Sequence, residues 1–129
     1  MGVIAFATQK LTPAPQWLDY TAPSYWTITN GSWDGSEYSP SFTGLFLEPA
    51  GGWEVDFRPT QIRVTWTLNY AHIKVVVLGD PGATIADSGY TYDQPVLEDL
   101  TFGVNDISEL QFTGVKGPLW DVTKIEFYG

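Results

Sequence analysis

The stretch QIRVTWTLN, residues 61–69, alternates without a break. Ile62, Val64, Trp66 and Leu68 take one face; Arg63, Thr65 and Thr67 take the other. Period two is the mark of a strand with one face in a core and one in water. After a short turn at 69–72, residues 73–78 are apolar on both faces through Val75, Val76 and Val77, which predicts a central strand. Gly79-Asp80-Pro81-Gly82 closes it with strong turn chemistry. No window of the chain carries helical periodicity over three turns.

The same pattern predicts strands at 3–8, 25–29, 42–47, 53–57, 83–87, 96–102, 107–113 and 120–128. Thirteen Gly and nine Pro punctuate them. Many short strands at turn-bounded intervals mean a sandwich or a closed barrel. The least regular stretch is 11–23, with Pro13, Pro15 and Pro23, and is expected to cross between sheets or wrap an edge. At 129 residues, 43% hydrophobic and 16% aromatic, the chain has the length and the core material of one domain spanning 1–129.

The second half follows a recognisable order. Phe57-Arg58-Pro59-Thr60-Gln61-Ile62-Arg63-Val64 leads to Ile73-Lys74-Val75-Val76-Val77-Leu78-Gly79. A Pro-Gly turn and Ala83-Thr84-Ile85-Ala86 follow, then Ile107-Ser108-Glu109-Leu110-Gln111-Phe112-Thr113-Gly114. The end is Trp120-Asp121-Val122-Thr123-Lys124-Ile125-Glu126-Phe127. Residues 41–127 thus resemble the galactose-binding-like jelly-roll superfamily, which includes many carbohydrate-binding modules and discoidin-type domains. The resemblance implies an all-β, single-domain antiparallel jelly-roll β-sandwich. It also implies ligands on loops at one end of the sandwich or on a concave sheet face, and often a structural calcium. It transfers little about activity, because the fold hosts many functions.

The final strand changes parity. Ile125 and Phe127 share a face, whereas Trp120 and Val122 sit on the other. The apolar face therefore switches near Thr123, which predicts a β-bulge or a change of sheet. Asp121 reads as a rim residue rather than a catalytic acid.

Charge narrows the partners. Six Lys and Arg stand against 15 Asp and Glu, a net charge of −9. That disfavours nucleic acid and anionic lipid, where basic side chains supply the affinity. Between Lys74 and Lys116 there is no basic residue, while Asp80, Asp87, Asp93, Glu98, Asp99, Asp106 and Glu109 all fall there, a solvated acidic face. There is no cysteine, hence no disulfide framework. Residues 1–6 show no basic n-region and too short an apolar run for a signal peptide, and no stretch approaches a membrane span. The expectation is a soluble protein.

Catalytic equipment is sparse. His72, the single histidine, falls in a predicted turn, which rarely holds an imidazole for a triad. A zinc site would need several nitrogen or sulfur ligands, and this chain has one histidine and no cysteine. Glu54 and Asp56 lie on a predicted solvent face, and Glu98 and Asp99 point to opposite faces, so neither forms a glycosidase pair. No enzyme activity is expected.

Binding is better supplied. The loop at 30–40 is polar and Gly-rich yet carries Trp33 and Tyr38. Trp33 either caps the core or offers a flat face to a ligand. An aromatic plate beside carboxylate acceptors suits a sugar, with its apolar C–H faces and hydroxyl donors. It also suits a protein hot spot. A second aromatic loop carries Tyr90 and Tyr92. If the two loops meet at one end, they form a single aromatic, acidic patch, where a calcium ion would take oxygens from Asp34, Glu37 or Asp93. Two readings follow. The first is a non-catalytic virion-surface protein, a phage head-decoration or tail component that assembles with protein partners as a homo-oligomer. The alternative is a carbohydrate-binding module using loop aromatics.

Overall fold

The structure is a computed structural model and describes residues 14–42, 44–50, 58–67, 72–79, 82–91, 96–101, 107–115 and 120–129. Eleven strands occur among them. These are β1 (Trp17–Asp19), β2 (Trp26–Asn30), β3 (Ser32–Trp33), β4 (Tyr38–Ser39), β5 (Leu45–Pro49), β6 (Gln61–Trp66), β7 (His72–Gly79), β8 (Thr84–Thr91), β9 (Val96–Thr101), β10 (Ile107–Val115) and β11 (Val122–Tyr128). One 3₁₀ turn, Pro23–Tyr25, precedes β2. The expected strands at 3–8 and 53–57 lie outside the described residues.

The strands form two antiparallel sheets. Sheet A runs β3-β4-β11-β6-β9, with β1 also on β11; sheet B runs β2-β5-β10-β7-β8. From β5 onward the chain alternates between sheets, apart from the β7–β8 hairpin. The fold is therefore the expected all-β jelly-roll sandwich. Ile62, Val64, Trp66, Val122, Ile125 and Phe127 from sheet A meet Leu45, Leu47, Ile73, Val75, Val77, Leu110 and Phe112 from sheet B. Each is at most 2% exposed. Burial of such side chains contributes about 1.5–3 kcal/mol apiece.

β11 lies inside sheet A, with β6 along one edge. Its other edge is shared. Trp17 to Asp19 pair with Tyr128 to Glu126, and Tyr38 pairs with Val122. Ile125 lies in the gap between these two pairings. There the Tyr20 N–H donates to the Ile125 carbonyl at 2.8 Å, and the Ile125 N–H donates to Thr21 Oγ1 at 3.0 Å. Both of its backbone groups are thus satisfied on that edge, as burial requires.

The predicted bulge is present: the β11–β6 register shifts between Val122 and Lys124. Val122 faces the core before the shift, and Ile125 and Phe127 face it after. Lys124, Glu126 and Tyr128 are thereby turned to the outer face. Several boundaries differ from expectation. His72 opens β7 instead of ending a turn, and β8 runs on to Thr91 instead of stopping at Asp87. Phe42 does not open a strand; Ser41 and Gly44 exchange backbone hydrogen bonds at 2.9 and 3.0 Å ahead of β5, and Phe42 is fully exposed. A Cβ at Gly44, φ 131°, would strike the Phe112 carbonyl, so glycine is required there. The irregular stretch 11–23 contains β1, whose Leu18 packs on the core.

Candidate functional site

The Trp33–Tyr38 segment is a hairpin, not an open loop. Ser32 and Trp33 pair with Ser39 and Tyr38. Asp34 builds the turn: its Oδ1 accepts from the Ser36 N–H at 2.8 Å, the Glu37 N–H at 2.9 Å and the Ser36 hydroxyl at 3.1 Å. Those backbone hydrogen bonds hold its carboxyl below the usual range. Tyr38 was expected to meet a ligand, and the structure corrects this. Its register partner Val122 faces the core, so its ring does too, at 0% exposure. Its hydroxyl donates to the Thr21 carbonyl, and burial pushes its pKa up. Trp33 lies against the Tyr38 ring, centroids 4.5 Å apart and planes tilted by 53°, and packs on the core, which is the capping arrangement.

Among the described residues the two aromatic segments do not meet. β3 and β4 form one lateral edge of sheet A, one residue after β2 at the matching edge of sheet B. β8 forms the opposite edge of sheet B and adjoins β9. Tyr90 belongs to β8 rather than to a loop, and is 39% exposed with Lys74 Nζ 5.1 Å from its ring. Tyr92 and Asp93 lie outside the described residues. The carboxylates expected to hold calcium are therefore not shown together, and among the described residues no three His, Asp or Glu side chains are grouped to hold a metal ion. Glu37 instead faces Asp121: burial first, then the charges of Asp121 and Asp34, raise its pKa.

A different aromatic site emerges on the outer face of sheet A. Strand parity places Trp17, Tyr128, Glu126 and Arg63 there together. Trp17 and Tyr128 are direct partners, their rings 5.4 Å apart and tilted by 58°. Arg63 stands opposite Glu126 across the β6–β11 ladder. Its Nε and Nη2 donate to the two carboxylate oxygens, both at 2.9 Å. The same guanidinium lies 4.2 Å from the centre of the Trp17 ring, having reached across β11. Lys124 Nζ adds a contact to Glu126 at 3.6 Å.

The geometry explains the burial of Glu126, whose side chain is only 11% exposed although it points away from the core. Arg63 lowers its pKa by hydrogen bonding and charge, against the effect of burial. A bidentate fork is stronger and more directional than a point-charge pair, and a guanidinium over an indole adds cation–π attraction. The result is a fixed plate: a half-buried Trp and Tyr, flanked by the planar donors of Arg63 and the acceptors of Glu126 and Asp19. Asp19 pairs with Glu126 in the β1–β11 register and is exposed.

Sequence reasoning missed this plate. Trp17 fell in the Pro-rich stretch, and the three-residue β1 is too short for alternation to announce it. One signal was present. Once the bulge near Thr123 is placed, Glu126 and Tyr128 must face away from Ile125 and Phe127.

No protein-family model and no curated protein matches the chain. Two solved structures are similar in fold. One is a low-affinity xylan-binding module, CBM86, from the xylanolytic gut symbiont Roseburia intestinalis. It aligns with a TM-score of 0.61 at 12% identity, over 89% of this chain and 95% of the module. The other is a family two carbohydrate esterase from Cellvibrio japonicus, with a TM-score of 0.52 at 10% identity. That alignment takes in 90% of this chain, which spans 34% of the esterase's length. At these identities the likeness shows a β-sandwich and nothing finer.

Proposed function

We propose that this protein is a non-catalytic carbohydrate-binding module whose sugar plate is the outer face of sheet A around Trp17. The observation that carries this reading is the Trp17–Tyr128 pair braced by the Arg63–Glu126 fork. A pyranose ring has apolar C–H faces that stack on an aromatic ring, and equatorial hydroxyls that need planar donors and acceptors at its rim. Trp17 supplies the ring face that the Arg63 guanidinium does not cover, while Arg63, Asp19 and Glu126 supply the rim. Rigidity matters because a side chain already ordered loses less entropy when ligand arrives. The net charge of −9 favours a neutral glycan over an acidic one. The fold shared with a xylan-binding module over nearly its whole length supports the same reading. The esterase likeness spans a minor part of that enzyme and brings no activity with it. Nothing in the fold or in either likeness supports a virion component or a homo-oligomeric assembly.

Affinity electrophoresis in gels containing xylan, glucomannan or mixed-linkage glucan tests this. The protein is retarded by at least one of them. Trp17→Ala weakens that retardation about tenfold in apparent affinity, near 1.4 kcal/mol, while its circular dichroism stays native. A folded Trp17→Ala protein that binds as tightly as the parent would remove the plate from the site.

A further inference from the structure

The outer face of sheet B carries an aromatic that strand parity alone would have buried. Ala86 in β8 faces the core at 9% exposure. Simple alternation from Ala86 would send Ser88 and Tyr90 to the same side. The register instead jumps: Tyr90 pairs with Lys74, but Asp87 pairs with Val76. One extra residue is held in β8 by three contacts. Ser88 Oγ accepts from the Val75 N–H at 2.9 Å, the Ser88 hydroxyl donates to the Gly89 carbonyl, and Asp87 Oδ1 accepts from the Gly89 N–H at 2.8 Å. Gly89, φ 64°, takes the left-handed conformation that the bulge demands. The bulge re-aims Tyr90 outward, where it sits beside Lys74.

Tyr90 is not isolated there. Gln111 pairs with Phe46 on one side and Val76 on the other, all three half-buried on the same outer face. The Gln111 amide donates to Glu109 Oε1 at 2.5 Å, and Asp87 stands beyond Val76. The face thus offers aromatic rings, an amide and carboxylate acceptors, with Lys74 as its ammonium. That composition discriminates among occupants. A basic peptide would meet Lys74 already at the Tyr90 ring, and an acidic glycan would meet Asp87 and Glu109. A neutral polyol stacks its C–H face on Tyr90 and donates its hydroxyls to the carboxylates.

We infer that the Tyr90 face of sheet B is a second contact surface for neutral glycan, so that one molecule holds two sugar chains on opposite sides of its sandwich. The inference rests on the carbohydrate reading given above. The two faces point away from one another, because each sheet turns its inner side to the shared core. A single straight oligosaccharide therefore cannot occupy both.

The test is a ¹H–¹⁵N titration of the full chain with xylohexaose, cellohexaose and mannohexaose in turn. With the sugar that binds, two separate sets of amides shift, one on β1 and β11 and one on β7 and β8. Tyr90→Ala removes only the second set, and Trp17→Ala only the first. Shifts confined to β1 and β11, or a second set untouched by Tyr90→Ala, overturn the second face and leave the carbohydrate reading standing. An absence of shifts with all three sugars overturns both.

Discussion

Two Trp–Tyr pairs lie at opposite ends of one edge of β11, and they do opposite things. Trp33 and Tyr38, 4.5 Å apart, close a local hairpin and turn inward. Trp17 and Tyr128, 5.4 Å apart, join the two ends of the described chain and turn outward. Composition does not separate them, since each is one indole and one phenol on paired strands. Parity does. Tyr38 is registered to Val122, ahead of the bulge, and Tyr128 lies beyond it. One extra residue in β11 decides which ring is core and which is surface. The β8 bulge does the same for Tyr90.

The contrast can be broken most decisively at the end of β11. Deleting residues 127–129 removes Phe127 from the core and takes away most of the register that holds β1. Loss of the cooperative thermal transition is expected, and a truncated protein that melts like the parent would refute the central placement of this strand. Next comes the pair itself. Tyr38→Ala should cost about 3–5 kcal/mol in denaturant unfolding, the range for a fully buried aromatic. Trp17→Ala should cost less than about half of that. Equal losses would mean that the outer pair is as structural as the inner one.

Glu126 sharpens the outer side of the comparison. Its carboxyl is held below the ordinary 4.5 by Arg63. A depressed folded value contributes stability that is full above the unfolded value and is lost as pH falls through the folded one. Glu126→Gln should therefore cost about 1–3 kcal/mol at neutral pH, and the gap to the parent should narrow below about pH 4. A gap independent of pH would show that the fork is not the source. The smallest effect belongs to Glu37, on the inner pair's hairpin. Its pKa is raised by burial and by Asp121 and Asp34, so its charge opposes folding at neutral pH. Glu37→Gln should raise the melting temperature slightly at pH 7 and leave it unchanged well below the ordinary carboxylate range. A lower melting temperature at pH 7 would contradict the repulsion.

Much of the fold was legible in local pattern. The strict alternation of Ile62, Val64 and Trp66 recurs as the buried row of β6, and the Val75–Val77 run recurs as a strand flanked on both sides. The parity switch near Thr123 is a register shift in the ladder. The site was far less legible. Trp33 in a Gly-rich segment looks exposed, but Asp34 folds the segment into a hairpin whose paired ring belongs to the core. Trp17 in a Pro-rich segment looks structureless, yet it completes the plate, because its partners lie far along the chain, Arg63 on β6 and Tyr128 on β11.

The chain by itself determined that this protein is built from short strands with one apolar face each, because period two is a local property of neighbouring side chains. It also determined the place where the last strand must slip by one residue. Only the tertiary structure decided which aromatics share a face. Register between strands far apart in sequence is set by the whole core, and a shift of one residue moves a ring from the interior to the surface. Arg63, Glu126, Trp17 and Tyr128 became one plate because β6, β11 and β1 lie side by side.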